Sequence, residues 1–166
     1  LLEKVDLIEV PLQFIGRARD TRIMDQPTDT TQLPDTICHF LGTPVLREDG
    51  TLIACCQQNA VLSNQQTALQ VGNLKTTSAR EIKEKVNSDV YLQTLRVFGP
   101  RAIAEAALKH DWGWEPKTYQ QGNICELCLD LSSNQRVVEK FREAYNTPSH
   151  KTKVALGRSL LFDEPL

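Results

Sequence analysis

Residues 37–56 read ICHFLGTPVLREDGTLIACC, and their pattern decides how the rest of the chain is organised. Asp49-Gly50 lies between two short apolar runs, Thr43–Glu48 and Thr51–Cys55, which predicts a β-hairpin. Asp-Gly suits a two-residue type I′ turn, where both central residues need φ > 0. That turn pairs Arg47 with Leu52 and Leu46 with Ile53. Strand side chains alternate, so Ile53 and Cys55 share one face while Ala54 and Cys56 share the other. Of the two adjacent cysteines, Cys55 then faces a common site with Cys38, and Cys56 points away as a buried hydrophobe, the alternative being Cys56 as the ligand in place of Cys55.

A second cysteine pair lies far along the chain, at Cys125 and Cys128 in GNICELC. A Cys-x2-Cys knuckle in a tight loop brings two thiolates to one centre from a single local element. With Cys38 and Cys55 it makes a set of four: Cys38, Cys55, Cys125 and Cys128. Such a set clamps the hairpin to the C-terminal part of the chain, and makes folding depend on the cofactor. Two centres suit four thiolates. Structural zinc usually shows two close knuckles, whereas ligands spread across a hairpin also suit a bulky iron–sulfur cube. The alternative function that goes with zinc is a structural or protein-interaction module without a redox role. His39, beside Cys38, stays outside the ligand set. His110 and His150 read as ordinary surface and packing residues, and Trp112 and Trp114 as packing anchors.

Composition sets the frame. The chain has 166 residues, 40% of them apolar, enough for the core of one ordinary domain. With 19 basic and 21 acidic residues the formal charge is -2, which gives no electrostatic case for nucleic acid or an anionic membrane. No apolar run approaches the roughly 20 residues of a membrane span. Five cysteines, an odd number, without a secretory leader favour metal chemistry in a reducing cytoplasm over a disulfide framework. The chain opens on Leu1-Leu2 and its only methionine is Met24, which reads as a piece cut from a longer protein.

Along the chain, residues 1–17 contain a strand-like run from Val5 to Val10, followed by Arg17, Arg19 and Arg22 in a solvated loop. Residues 25–36, rich in Pro, Thr and Asp, read as a linker. Gln57–Gln70 reads as a polar loop returning through Val71-Gly72-Asn73-Leu74. Ser78 and Glu81 form a capping box ahead of a short helix with Ile82 and Val86 on its apolar side. A second helix, Asp89–Phe98, capped by Asn87 or Ser88, ends at Gly99, and Pro100 opens a third over about 101–110. Ser132 and Gln135 cap a last helix with Val137, Val138, Phe141, Ala144 and Tyr145 buried. The tail, 149–166, has weak pattern and reads as disordered or as docked on a neighbouring domain. The fold class is α+β: a small hairpin plus several short helices.

Cys38-x11-Gly50-x4-Cys55, the Cys55-Cys56 pair, Gly72-Asn73-Leu74 and Ser78-Ala79-Arg80-Glu81-Ile82 together resemble a SPASM domain, the auxiliary-cluster domain of radical S-adenosylmethionine enzymes. The resemblance covers about residues 36–135. Full SPASM domains carry further cysteines after the Cys-x2-Cys and hold two clusters, whereas Cys128 is the last cysteine here. Four cysteines are closer to the shortened twitch variant, which holds one four-iron four-sulfur cluster. Lys83 stands where the family often has Trp. The resemblance implies one auxiliary four-iron four-sulfur cluster on Cys38, Cys55, Cys125 and Cys128. It also implies a role in electron transfer or substrate positioning, with a peptide, protein or small molecule as substrate. Residues 1–24 would be the end of a radical S-adenosylmethionine barrel, 25–36 a linker, 37–146 the auxiliary domain and 147–166 a tail. The barrel upstream would be the domain's partner. The Cys-x3-Cys-x2-Cys that holds S-adenosylmethionine on a second cluster is absent from these 166 residues, so the chain alone would be inactive.

Overall fold

A computed structural model describes residues 29–39, 41–63, 65–120 and 123–165. The readings of residues 1–24, including Arg17, Arg19 and Arg22, lie outside the described residues. The elements run β1 (Asp29–Thr30), β2 (Val45–Leu46), β3 (Thr51–Ile53), α1 (Gln58–Leu62), β4 (Gln70–Asn73), α2 (Ala79–Ser88), α3 (Val90–Lys109), β5 (Tyr119–Gln120), α4 (Ile124–Ser133), α5 (Gln135–Tyr145) and α6 (Pro148–Phe162). An antiparallel three-stranded sheet in the order β2-β3-β4 sits beside a helical layer, and β1 pairs with β5. The fold is α+β.

The hairpin forms, with a different turn. Val45 pairs with Ile53 and Leu46 with Leu52, one residue away from the register that a type I′ turn requires. The Gly50 N–H donates to the Arg47 carbonyl at 3.0 Å and the Arg47 N–H to the Thr51 carbonyl at 2.9 Å. This makes Glu48-Asp49-Gly50 a three-residue loop. Only Gly50 takes positive φ (89°), with Asp49 outside that region. The Asp49 carboxylate instead accepts from the Thr51 N–H at 2.9 Å. This is the type I turn closed by a left-handed glycine, in which a single φ > 0 residue suffices. The strands are also shorter than expected, and β3 ends at Ile53. Val71-Gly72-Asn73, expected in a returning loop, belongs to the third strand, and Gln58–Leu62 within that loop is a helix capped by the Gln57 side chain.

The helical layer is built around α3. The Ser78/Glu81 capping box is present, and α2 buries Ile82. Asp89 caps α3, its carboxylate accepting from the N–H groups of Tyr91 (2.9 Å) and Leu92 (3.4 Å). The helix breaks at Gly99, whose φ of 76° and ψ of 173° are non-helical, and restarts at Pro100. The break brings Gly99 against Thr36: a Cβ at Gly99 would stand 2.3 Å from the Thr36 carbonyl oxygen. The part of the expected linker that is described therefore packs on the domain. Pro34 is buried, and Asp35 pairs with Arg101 at 2.8 Å.

Tyr91, Leu92, Leu95 and Ile103 of α3 meet Leu127 and Leu131 of α4 and Val137 and Phe141 of α5 in the core. Trp112 and Trp114 are buried; Trp112 packs edge-on against Phe141 at 6.2 Å. Trp114 donates its indole N–H to Asp130 at 2.9 Å, where Tyr119 (2.9 Å) and Lys117 also meet the carboxylate. The cap of α5 is Asn134, not Ser132, which lies inside α4. Ala144, expected on the buried face of α5, is exposed.

The tail is a helix and docks on its own chain. Thr147 caps α6 with Pro148 at its first turn. His150 Nε2 lies 2.8 Å from Thr94 Oγ1, Arg96 pairs with Glu164 at 2.7 Å, and the Arg96 guanidinium lies 4.3 Å over the Phe162 ring. Among the described residues no helix is long and apolar enough to cross a membrane.

Candidate metal-cluster site

The hairpin and the break in α3 together place the cysteines. Cys38 follows the Thr36 segment that rests on Gly99, and is buried. Cys55 is buried two residues past the end of β3, in a stretch still tied to the sheet by the Ala54 N–H donating to the Leu69 carbonyl at 2.8 Å. The backbone N–H of Gln57 acts on the Cys55 thiol to lower its pKa, opposing burial. Cys56 is exposed. The strand alternation expected to turn Cys56 away does not extend to it, because β3 stops at Ile53.

Cys125 and Cys128 stand in the first turns of α4, where a loop knuckle was expected. Asn123 caps this helix, its side chain accepting from the Cys125 N–H at 3.1 Å. Residues three apart lie on one helix face, so a helical Cys-x2-Cys directs both sulfurs the same way. The position is also electrostatically apt, since the N-terminal end of a helix dipole favours a thiolate.

All five cysteines line one cavity of about 200 Å³. Its remaining wall is mostly apolar, with Leu41, Leu69, Pro100, Ile124 and Leu129 among the lining residues. Among the described residues, no three His, Cys, Asp or Glu side chains gather as a site for a single metal ion. His39 is exposed and lies outside the cavity wall, its ring 6.5 Å from Phe162. His110 stacks on Trp112 at 5.5 Å.

Burial in this apolar hollow makes the thiols of Cys55, Cys125 and Cys128 reluctant acids. Burial, followed by the neighbouring Cys38, Cys55 and Cys56, pushes the Cys125 thiol up to about 12. Cys128 is raised well above the ordinary value of 9.0, first by burial and then by Cys38 and Cys55. Burial also raises Cys55, against the opposing pull of the Gln57 N–H. A multivalent cation would reverse this balance, since a coordinated thiol is deprotonated outright.

Two contacts to the site are absent from the sequence reading. Ser132 Oγ lies 3.9 Å from Cys128 Sγ, and Tyr91 Oη lies 3.1 Å from Ser132 Oγ. The first has a signal that reading α4 as a helix would reveal, because Cys128 and Ser132 are four residues apart. The second joins distant parts of the chain and has none.

No protein-family model, curated protein or solved structure matches the chain.

Proposed function

We propose that this chain is an auxiliary iron–sulfur domain, with Cys38, Cys55, Cys125 and Cys128 as ligands of one four-iron four-sulfur cluster. The reading rests on one observation above the others: cysteines from two segments far apart in sequence, 38–56 and 125–128, line one apolar-walled cavity of about 200 Å³. Four sulfurs around one zinc ion would each lie about 2.3 Å from it and close over it. Sulfurs around a hollow suit a bulkier group, and the donor set is the all-cysteine one that such clusters take.

When bound, such a cluster supplies one-electron chemistry. The chain's own residues bind and shield it. Leu41, Leu69, Ile124 and Leu129 keep water from the sulfurs, and the Gln57 N–H and the Asn123-capped end of α4 favour the thiolate form. Four cysteine ligands leave iron no open position, which favours electron transfer or support of structure over direct binding of substrate. The SPASM/twitch resemblance of residues 36–135 adds the context of a radical S-adenosylmethionine enzyme. Its barrel would precede this domain, and its substrate would be a peptide, a protein or a small molecule.

The test is anaerobic reconstitution of the chain with ferrous iron and sulfide. About four iron and four sulfide per chain, with a paramagnetic signal after reduction, are expected. Serine at Cys38, Cys125 or Cys128 should reduce the iron held, and Cys56→Ser should leave it unchanged. A colourless protein that takes up one zinc and no sulfide would overturn the reading.

A further inference from the structure

Ser132 stands one helical turn beyond Cys128 and is 2% exposed, and Tyr91 is fully buried. Their hydroxyls form a chain to the sulfur: Tyr91 Oη to Ser132 Oγ at 3.1 Å, Ser132 Oγ to Cys128 Sγ at 3.9 Å. Proton counting fixes its direction once Cys128 is a ligand. A coordinated thiolate has no proton and only accepts. The contact at Cys128 Sγ then forms only with the Ser132 hydroxyl as donor, and in that arrangement the Ser132 lone pairs accept from Tyr91. Burial raises the Tyr91 phenol far above its ordinary value, so that donor persists across the working pH range. The Tyr91 ring is itself held edge-on to Phe141 at 5.9 Å.

A helical serine left to itself turns its hydroxyl toward the carbonyl four residues back. The phenol of Tyr91 supplies the restraint that aims it at sulfur. We propose that Ser132, aimed by Tyr91, is a positioning residue that sets the reduction potential of the group held by Cys128. A hydrogen bond to a ligand sulfur stabilises the more negative, reduced state more than the oxidised one, and so raises the potential. This inference rests on the iron–sulfur reading above.

The experiment is a redox titration of the anaerobically reconstituted full chain, followed by paramagnetic resonance, with iron and sulfide measured for each sample. Ser132→Ala should retain its iron and shift the midpoint to more negative potential. Tyr91→Phe should shift it the same way by less, and Ser132→Thr, which keeps the hydroxyl, should stay near wild type. Tyr91→Phe introduced on top of Ser132→Ala should add no further shift, a non-additivity that a purely structural role would not produce. A fully loaded Ser132→Ala with the wild-type midpoint refutes the inference alone. So does a Tyr91→Phe shift that adds in full to that of Ser132→Ala. If Ser132→Ala fails to load, an unshifted, loaded Tyr91→Phe refutes it equally. Wild-type protein that takes up neither iron nor sulfide removes the iron–sulfur reading and this inference with it.

Discussion

Replacing Gly99 by alanine tests whether the break in α3 positions the site. Gly99 has φ 76° and ψ 173°, a region essentially reserved for glycine, where another residue costs about 1–3 kcal/mol. The added methyl would also lie 2.3 Å from the Thr36 carbonyl oxygen and 3.6 Å from Ile37 Cα. Both are backbone atoms, so no side-chain rotation relieves the clash, and overpacking of this kind costs about 1–3 kcal/mol more. Partial relaxation satisfies both strains at once, which places the expected loss at about 3 kcal/mol. For a chain of this length that lowers Tm by roughly 6–12 °C. The relaxation must displace the 36–37 segment, which leads directly into Cys38. Gly99→Ala should therefore lose iron on reconstitution as well as stability. Thermal unfolding of the metal-free chain and iron content of the reconstituted one measure the two effects. A Tm within about 2 °C of wild type together with full iron would refute the argument that Gly99 sets the path of the Cys38 segment.

Two further outcomes follow from the site and the helix caps. The folded thiols of Cys55, Cys125 and Cys128 all lie above the unfolded value of 9.0. The unfolded chain thus releases protons first as pH rises, and the stability of the metal-free protein should fall as pH climbs past about 9. Thermal unfolding at pH 8 and pH 10 checks this, and the fall should shrink in a variant with serine at those three positions. Asp89 both caps α3 and accepts from Arg142 at 2.6 Å, so Asp89→Ala should cost about 1–2 kcal/mol as a lost cap. Arg142→Ala, which removes a partly exposed guanidinium from Asp89 and from the face of Tyr91 but leaves the cap in place, should cost about 1 kcal/mol or less. Denaturant unfolding giving equal losses for the two would show that capping by Asp89 is not the larger effect.

What the sequence made legible was local. The Ser78/Glu81 capping box, the Gly99-Pro100 break and the Asp49-Gly50 hairpin each depend on residues within a few positions of one another, and each formed. Errors arose where two local solutions compete. Asp-Gly fits both a two-residue turn and the longer loop closed by Gly50, and the strand ladder decides between them. Ser132 and Asn134 are both good caps, and packing draws Ser132 into α4 toward Tyr91. Gly122-Asn123 reads as loop, yet Asn123 is itself the cap that turns the following Cys-x2-Cys into helix. The α6 helix was invisible for another reason. Only Val154 along it is buried, and its anchoring through His150 on Thr94 and Glu164 on Arg96 leaves no apolar period to detect. The two cysteine-bearing segments are visible in the sequence, but that Cys56 lines the cavity with the other four depends on where β3 stops.

The cavity is divided in sequence as well as in space. Cys38, Cys55 and Cys56 leave the ribosome before and just after the hairpin, and Cys125 and Cys128 follow about seventy residues later, on the order of 4–14 s of synthesis at roughly 5–20 residues per second. During that interval the nascent chain carries three thiols with their helical counterpart still unmade. Thiols in this state are open to capture by stray metal or oxidant, and α4 is the element that completes the wall over Cys38 and Cys55, both buried in the folded chain. Sequence changes that slow the docking of α4 on α3 would then show up as failed maturation rather than as a less stable finished protein.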